Sequence, residues 1–345
     1  MSSGDISSLS AAVPGLAYSD PHAPGITRER TADGFRYCDL SGAEITDDQT
    51  RLRIGALRIP PAWKDVWISP DPLGHIQATG VDSRGREQYI YHPIWREERE
   101  AQKFAHMLRF ADALPALRSA TLRDLDGHHL DRNRVTAAAV RLIDLGLFRI
   151  GGEKYAELDH HYGATTLQKH DVKVTRDGVN FDYIAKEGKH RTVTVTDEPV
   201  RAVVRALMRS NKSLGPLFSF EDSGTWQPLR SHQVSNYIAT RAGGHFTAKE
   251  FRTWNATVLM ALLLANAGPA TTARARKNTT AAGVREVADW LGDTPAVARG
   301  SYIDPRVIGK YELEGELPTI PKRPAVLPVD VEAETAVAAL LGADD

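Results

Sequence analysis

The chain has 345 residues, of which 42% are apolar and 25% charged, a formal net charge of −1 and a single cysteine, Cys38. That length supports two domains with cores of their own, in the composition of a soluble globular protein, and one cysteine excludes an internal disulfide. The longest apolar stretch, "ATVLMALLLANAG" at 256–268, is too short to span a bilayer, so no membrane segment is expected.

Charge is unevenly distributed. Residues 1–22 carry Asp5 and Asp20 and no base, and residues 328–345 carry Asp330, Glu332, Glu334, Asp344 and Asp345 and no base. The intervening body holds 43 bases against 37 acids. A body of that charge tolerates a polyanionic partner without demanding one.

In chain order, residues 1–24 are rich in Ser, Gly, Ala and Pro and are expected to form a flexible tail. The runs "GFRYCDL", "DVWISP", "GHIQATG" and "REQYIYH" alternate and are broken by Gly, Pro and Asp, which predicts strands of a small sheet. Between them "TDDQTRLRIGAL" reads as a helix capped near Thr46. From Pro93 helical spacing dominates, first in a long amphipathic stretch interrupted at Pro115, then in "DRNRVTAAAVRLIDLGLF". A second β-like patch covers 165–195, with turns at Asp177-Gly178 and Glu187-Gly188. Helices return over "DEPVRAVVRALMRS", "RSHQVSNYIATRAG", "TAKEFRTWNATVLMALLLANAG" and "AAGVREVADWLGD", with "GPATTARARKN" at 268–278 read as a mobile basic loop. The expected class is α+β: a small β-rich N-terminal domain (25–97), a larger mainly helical catalytic domain with an inserted β-hairpin or small sheet (98–315), and a Pro-rich acidic tail (316–345).

Several chemistries leave no trace. There is no GxxxxGK[ST] loop and no Rossmann glycine fingerprint, so no nucleotide cofactor is expected. There is no cysteine cluster, and the pairs His128-His129 and His160-His161 lack the one-face spacing of metal ligands. Three bases stand in unusual settings. Arg149 interrupts the apolar run "LGLFRIGG", Lys186 lies at a predicted strand end beside a glycine turn, and Arg252 opens the most apolar helix. Each alone has an ordinary explanation as a snorkelling stem or a structural ion pair. A buried arginine is nonetheless costly unless it meets an anion.

With Tyr302, these residues form an ordered set. "RIGGEKY", "YGATTLQKHDV" followed by a hairpin lysine, "TAKEFRTWNAT" and "TPAVARGSYIDP", together with the N-terminal "IPPAWKDVWISPDPLGHIQATGVDSRGREQYIYHPIW", resemble the type IB DNA topoisomerases, specifically the compact poxvirus-like bacterial branch. The resemblance covers residues 23–312. It implies cleavage of one DNA strand by attack of the Tyr302 phenol on phosphorus, with a 5′-hydroxyl leaving and a phosphotyrosyl link conserving the bond energy. Neither ATP nor a metal would be needed. Free tyrosine, with a pKa of about 10, is a poor nucleophile at neutral pH. The site must therefore stabilise charge developing on the phosphorane. The resemblance assigns that work to Arg149 and Arg252, and proton donation to Lys186. It further implies substrate contacts from Lys249, Gln77, Arg86, Tyr89 and Tyr91, duplex DNA as partner, a monomer, and a cytoplasmic, nucleoid-associated location.

One position departs from the family's pattern. Nine residues before the tyrosine the family carries histidine or asparagine; here stands Asp293. An ionised aspartate cannot donate to a phosphate oxygen. Asp293 is then a protonated or repositioned member of the site, a mark of weakened catalysis in a DNA-binding relative, or the cap of a helix beginning near Pro295. The alternative enzyme is a tyrosine recombinase, which shares the Arg-Lys-Arg-Tyr chemistry. Recombinases usually carry histidine where Lys249 stands, and a helical N-terminal domain.

Overall fold

The computed structural model describes residues 13–153, 156, 160–210 and 215–342. The chain divides into two compact units, Met1–Phe104 and Ala105–Asp345. The class is α+β, as expected from the pattern of alternating and helical runs.

The first unit is built on an antiparallel sheet of β1 (Ile26–Thr31), β2 (Gly34–Cys38), β3 (Lys64–Ile68), β4 (Ile76–Val81) and β5 (Glu87–Tyr91), in the order β2-β1-β3-β4-β5. Alternation puts Ile26, Ile68, Ala78 and Ile90 on one face, where they pack with Ile54 of α1 (Asp48–Ala56). The α1 cap forms at Asp47, one residue after the expected Thr46; its carboxylate accepts from the Thr50 N–H at 2.7 Å. The opposite face carries Thr27, Trp67, Thr79 and Tyr89 in one cross-strand row.

The second unit is mainly helical. Helix α2 (Pro93–Leu125), which begins in the first unit, runs unbroken through Pro115, where the sequence predicts an interruption. Its face of Met107, Phe110, Leu114 and Leu117 is fully buried. Burial of that stripe outweighs the one hydrogen bond a helical proline removes. Helix α3 (Arg132–Gly146) starts on the Asp131 carboxylate, which accepts from the Arg134 N–H at 3.0 Å, and ends at Leu147 in the left-handed region, φ 52°. The inserted sheet consists of β6 (Val172–Val174), β7 (Val179–Ile184) and β8 (His190–Val195), antiparallel in chain order, and is followed by α4 (Glu198–Ser210). A hairpin of β9 (Ser219–Asp222) and β10 (Thr225–Pro228), not foreseen from the sequence, closes on the pair Ser223-Gly224, both at positive φ. Then come α5 (Ser231–Ala242), α6 (Ala248–Ala267), α7 (Ala273–Leu291), α8 (Pro295–Ser301) and α9 (Pro305–Glu314). Helix α6 is buried on nearly every side, as its apolar composition predicts. The expected mobile loop at 268–278 is shorter than read: the Thr272 hydroxyl accepts from the Ala275 N–H at 3.1 Å and starts α7.

The stretch expected as a Pro-rich acidic tail also differs. After residue 330 the chain forms α10 (Val331–Gly342), whose Ala333, Val337, Leu340 and Leu341 are buried on one face. Prolines hide this helix from a compositional reading, but the i, i+4, i+7, i+8 spacing is present. Its Glu334 accepts from both terminal nitrogens of Arg118 (2.7 and 3.0 Å) and from the Trp254 indole N–H (3.0 Å). Arg118 also makes a two-pronged bond to Asp144, at 2.8 and 2.9 Å. Burial alone would lower its pKa; the two carboxylates more than offset this and hold it above the usual arginine value. Glu334→Ala should lower the urea-unfolding midpoint, costing about 1–3 kcal/mol, as Arg118 keeps Asp144 but loses its second carboxylate and the Trp254 indole loses its acceptor. Glu334→Gln should cost less. An unchanged midpoint for the alanine variant would remove α10 from the folded unit.

Candidate active site

Arg149, Arg252, Asp293 and Tyr302 converge because helix ends and the segments that follow them bring them together. Arg149 follows the left-handed Leu147 that terminates α3. Its segment lies flush against the "YGATT" loop: the Ala164 N–H donates to the Arg149 carbonyl and the Thr165 N–H to Ile150, both at 2.8 Å. A Cβ on Gly163 would sit 2.7 Å from that Arg149 carbonyl, so only glycine admits this approach.

Arg252 lies in α6, just past an N-terminal capping box in which the Thr247 N–H donates to Glu250 at 2.7 Å. It is 2% exposed. Its guanidinium donates to the carbonyl of Leu147, to that of Leu291 at the end of α7 (2.9 Å), and to Asp293 Oδ2 (2.8 Å). Burial draws its pKa below the usual arginine value. The buried Nε has no hydrogen-bond partner among the described residues. The other carboxylate oxygen of Asp293 accepts from Arg149 at 2.6 Å. Asp293 therefore joins the two arginines. It is not the helix cap: the Thr294 hydroxyl takes that role for α8, accepting from the Val297 N–H at 3.3 Å.

Tyr302 stands at the C-terminal end of α8, with its backbone N–H donating to Ala298 at 3.1 Å. The Arg252 guanidinium carbon lies 5.0 Å from the centre of its ring. The Thr257 hydroxyl, one and a half turns along α6 from Arg252, accepts from the Asp304 N–H at 3.1 Å and lies 3.2 Å from the Tyr302 carbonyl. Helix α6 thus positions both the arginine and the backbone that bears the tyrosine.

Arg149, Arg252, Asp293 and Tyr302 form one constellation. Lys186 lies at the exposed tip between β7 and β8, followed by Glu187 and Gly188 at positive φ. Lys249, one turn before Arg252, is exposed. The remaining sequence-derived contacts belong to the first unit. Gln77 is 3% exposed, donates to the Gly74 carbonyl at 2.7 Å and accepts from Arg53 at 3.1 Å. The peptide groups of 71–74 need a buried partner, and Gln77 supplies it. Arg86 is exposed and paired with Asp82, whose pKa falls to about 2 through that bond. Tyr89 and Tyr91 stack with ring centres 6.0 Å apart. Burial and the neighbouring Glu87 push Tyr89 up to about 12. Among the described residues, no group of three or more His, Cys, Asp or Glu could hold a metal ion, and no helix is long and apolar enough to cross a membrane.

The sequence reading missed Arg191 and Tyr183. Arg191 on β8 donates to three backbone carbonyls, of Leu147 (3.1 Å), Gly146 (2.8 Å) and Trp290 (2.7 Å). The alternation of β8 could have found it, since Arg191 is in phase with the inward Val193 and Val195. Its cross-strand partner Tyr183 is 3% exposed; burial raises its pKa, against the pull of Arg191, Arg252 and Arg149.

Comparison with known proteins places the chain in a family. Residues 93–314 match the family model of the eukaryotic DNA topoisomerase I catalytic core, and residues 34–82 match the bacterial DNA topoisomerase IB N-terminal domain. The chain is 30% identical over 295 residues to the DNA topoisomerase 1B of Acanthamoeba polyphaga mimivirus, covering 84% of this chain and 88% of the relative. It is 19% identical over 268 residues to the DNA topoisomerase I of monkeypox virus, covering 75% and 81%. A solved XerH site-specific recombinase, in a post-cleavage complex, aligns at 14% identity with a TM-score of 0.32, over 57% of this chain and 48% of that one. With half the chain and more under one family model, and residues 34–82 of the first unit under its bacterial companion, the chain belongs to the type IB DNA topoisomerases, isomerases that act on the topology of DNA.

Proposed function

We propose that the protein relaxes supercoiled duplex DNA by transient cleavage of one strand. The Tyr302 oxygen attacks the scissile phosphorus, its proton passing to water. The bond to the 5′-oxygen breaks, leaving a 3′-phosphotyrosyl link, and the reverse step reseals the strand. Arg149 and Arg252 hold the non-bridging oxygens with charge-assisted hydrogen bonds that strengthen as charge builds on the phosphorane. Lys186 delivers a proton to the departing 5′-oxygen. The phosphotyrosyl link conserves the bond energy, so resealing proceeds without ATP, and the guanidinium groups supply the positive charge that a metal would otherwise bring.

One observation carries this reading: Arg149 and Arg252 meet around a single carboxylate, Asp293, and Arg252 lies against the Tyr302 ring. Two guanidinium groups converging on an anion beside a phenol are the parts needed for phosphoryl transfer to tyrosine. Arg86, Tyr89, Tyr91 and Lys249 are assigned to the DNA backbone and grooves; Gln77 is not, because it is buried. The protein acts as a monomer, and phosphate contacts dominate its affinity, which falls steeply with salt.

The test is plasmid relaxation in EDTA without ATP, followed by protease digestion and mass spectrometry of any DNA-linked peptide. Relaxation with Tyr302 attached to a 3′-phosphate is expected. Relaxation only on addition of ATP or a divalent cation would overturn the mechanism. Exchange of strands between two duplexes would turn the reading to a recombinase.

A further inference from the structure

The hairpin that carries Lys186 is tied to the arginine cluster by a side chain to which nothing above assigns a role. Strands β7 and β8 pair Tyr183 with Arg191, and Lys186 lies at the tip beyond that pair. The Arg191 guanidinium reaches the carbonyls of Gly146 and Leu147 at the end of α3, and that of Trp290 near the end of α7. Unpaired carbonyls at helix C-termini carry partial negative charge and favour a cation. The Leu147 carbonyl accepts from Arg252 as well, so one oxygen is shared by a hairpin arginine and a site arginine. The Arg191 stem also lies along Gly292: a Cβ there would be 3.6 Å from Arg191 Cδ, directly before Asp293. Its guanidinium lies over the Phe148 ring at 5.4 Å, and Phe148 in turn stacks on Tyr183 at 5.6 Å, directly before Arg149.

Arg191 thus touches the residues flanking Arg149 and Asp293, shares an acceptor with Arg252, and belongs to the strand that leads back from Lys186. We infer that Arg191 is a positioning residue that fixes the Lys186 hairpin against the phosphate-binding arginines, and so sets where the proton donor meets the leaving oxygen. This rests on the proposed role of Lys186. Arg191 acts through protein carbonyls and not through DNA, so its loss falls on the chemical step, with DNA affinity nearly unchanged. Displacement of a catalytic group by about 1 Å can cost on the order of 10²-fold in rate. A leaving group that needs no proton makes the position of Lys186 irrelevant.

The experiment compares single-turnover cleavage by wild type, Arg191→Ala, Lys186→Ala and the double variant. Each is tested on ordinary duplex DNA and on DNA with a 5′-bridging sulfur at the scissile bond. Arg191→Ala is expected to cleave ordinary DNA about 10²-fold more slowly and the sulfur-bridged DNA at close to the wild-type rate. The double variant should be no slower than Lys186→Ala alone, because both changes lose the same proton transfer. Equal slowing on both substrates, or additive losses, would overturn the inference and leave Arg191 as a brace of the fold. Should the alanine variant fail to fold by circular dichroism, Arg191→Lys keeps the charge with fewer directed donors, and must show the same substrate dependence with a smaller loss. If Lys186→Ala alone cleaves ordinary DNA at the wild-type rate, the general-acid reading fails and the inference falls with it. That outcome is visible in its own arm and distinct from the others.

Discussion

Tyr302→Phe is expected to abolish covalent attachment to DNA while leaving non-covalent binding nearly intact. The change removes one oxygen. The ring that faces Arg252 remains, as do the backbone bond to Ala298 and the capped α8 helix that presents it. Folding should therefore be unaffected, and the loss should reside in the chemical step. For enzymes that form a covalent intermediate, removing the nucleophile costs on the order of 10⁴-fold or more. Adduct formation on a nicked duplex, read on a denaturing gel beside a binding isotherm, measures both quantities. A second phenol near the arginines, Tyr183, is 3% exposed, so it offers no route for a DNA phosphate. An adduct formed by the Phe variant would mean that a different residue attacks phosphorus, and the assignment of Tyr302 would be withdrawn.

The parts of this site differ in how far the sequence reveals them, and the difference follows the range of the interaction. Arg252 is legible because a charged residue in the apolar run of α6 demands an anion, and "TAKE" marks where that helix starts. The inserted sheet is legible from its Asp-Gly and Glu-Gly turns. The β9-β10 hairpin was legible in principle from Ser223-Gly224, but strands of four residues are too short to show alternation. Pro115 misleads because a local rule loses to the burial of Met107, Phe110, Leu114 and Leu117. The bonds of Asp293 to Arg149 and Arg252 cross 144 and 41 residues, and no local pattern encodes them. Position alone left Asp293 open between cap, acid and defect. The adjacent Thr294 takes the cap, which frees the aspartate to turn inward. Gln77 shows the opposite case: no local pattern reveals that its amide is taken up by the carbonyls of its own loop.

The geometry around Asp293 sets the second large effect, on Asp293→Asn. The carboxylate fills the place between two guanidinium groups, at 2.6 Å from one and 2.8 Å from the other. It neutralises Arg252, which is otherwise held by backbone carbonyls. A scissile phosphate must bring its own negative charge to the same donors. Two like charges about 4 Å apart repel by roughly 4 kcal/mol at the effective dielectric of a protein surface. In the transition state, with further charge on the phosphorane, that repulsion grows. Asparagine keeps the shape, can still accept from one arginine, and turns its other group into a donor toward the phosphate. One such donor to a transition state is worth about 2–4 kcal/mol, or about 30- to 1000-fold in rate. Asp293→Asn should therefore speed cleavage by that order. It should also lower the stability of the DNA-free protein by about 1–3 kcal/mol, because Arg252 loses an ionised partner in a buried setting. The two effects have opposite signs and are read separately: single-turnover cleavage for the first, urea unfolding without DNA for the second. An Asn variant that is less stable and no faster would mean that Asp293 holds the arginines in place throughout the reaction, as a positioning carboxylate and not a competitor of the phosphate. A faster variant with unchanged stability would mean that the two ion pairs contribute nothing to the fold and only oppose the substrate.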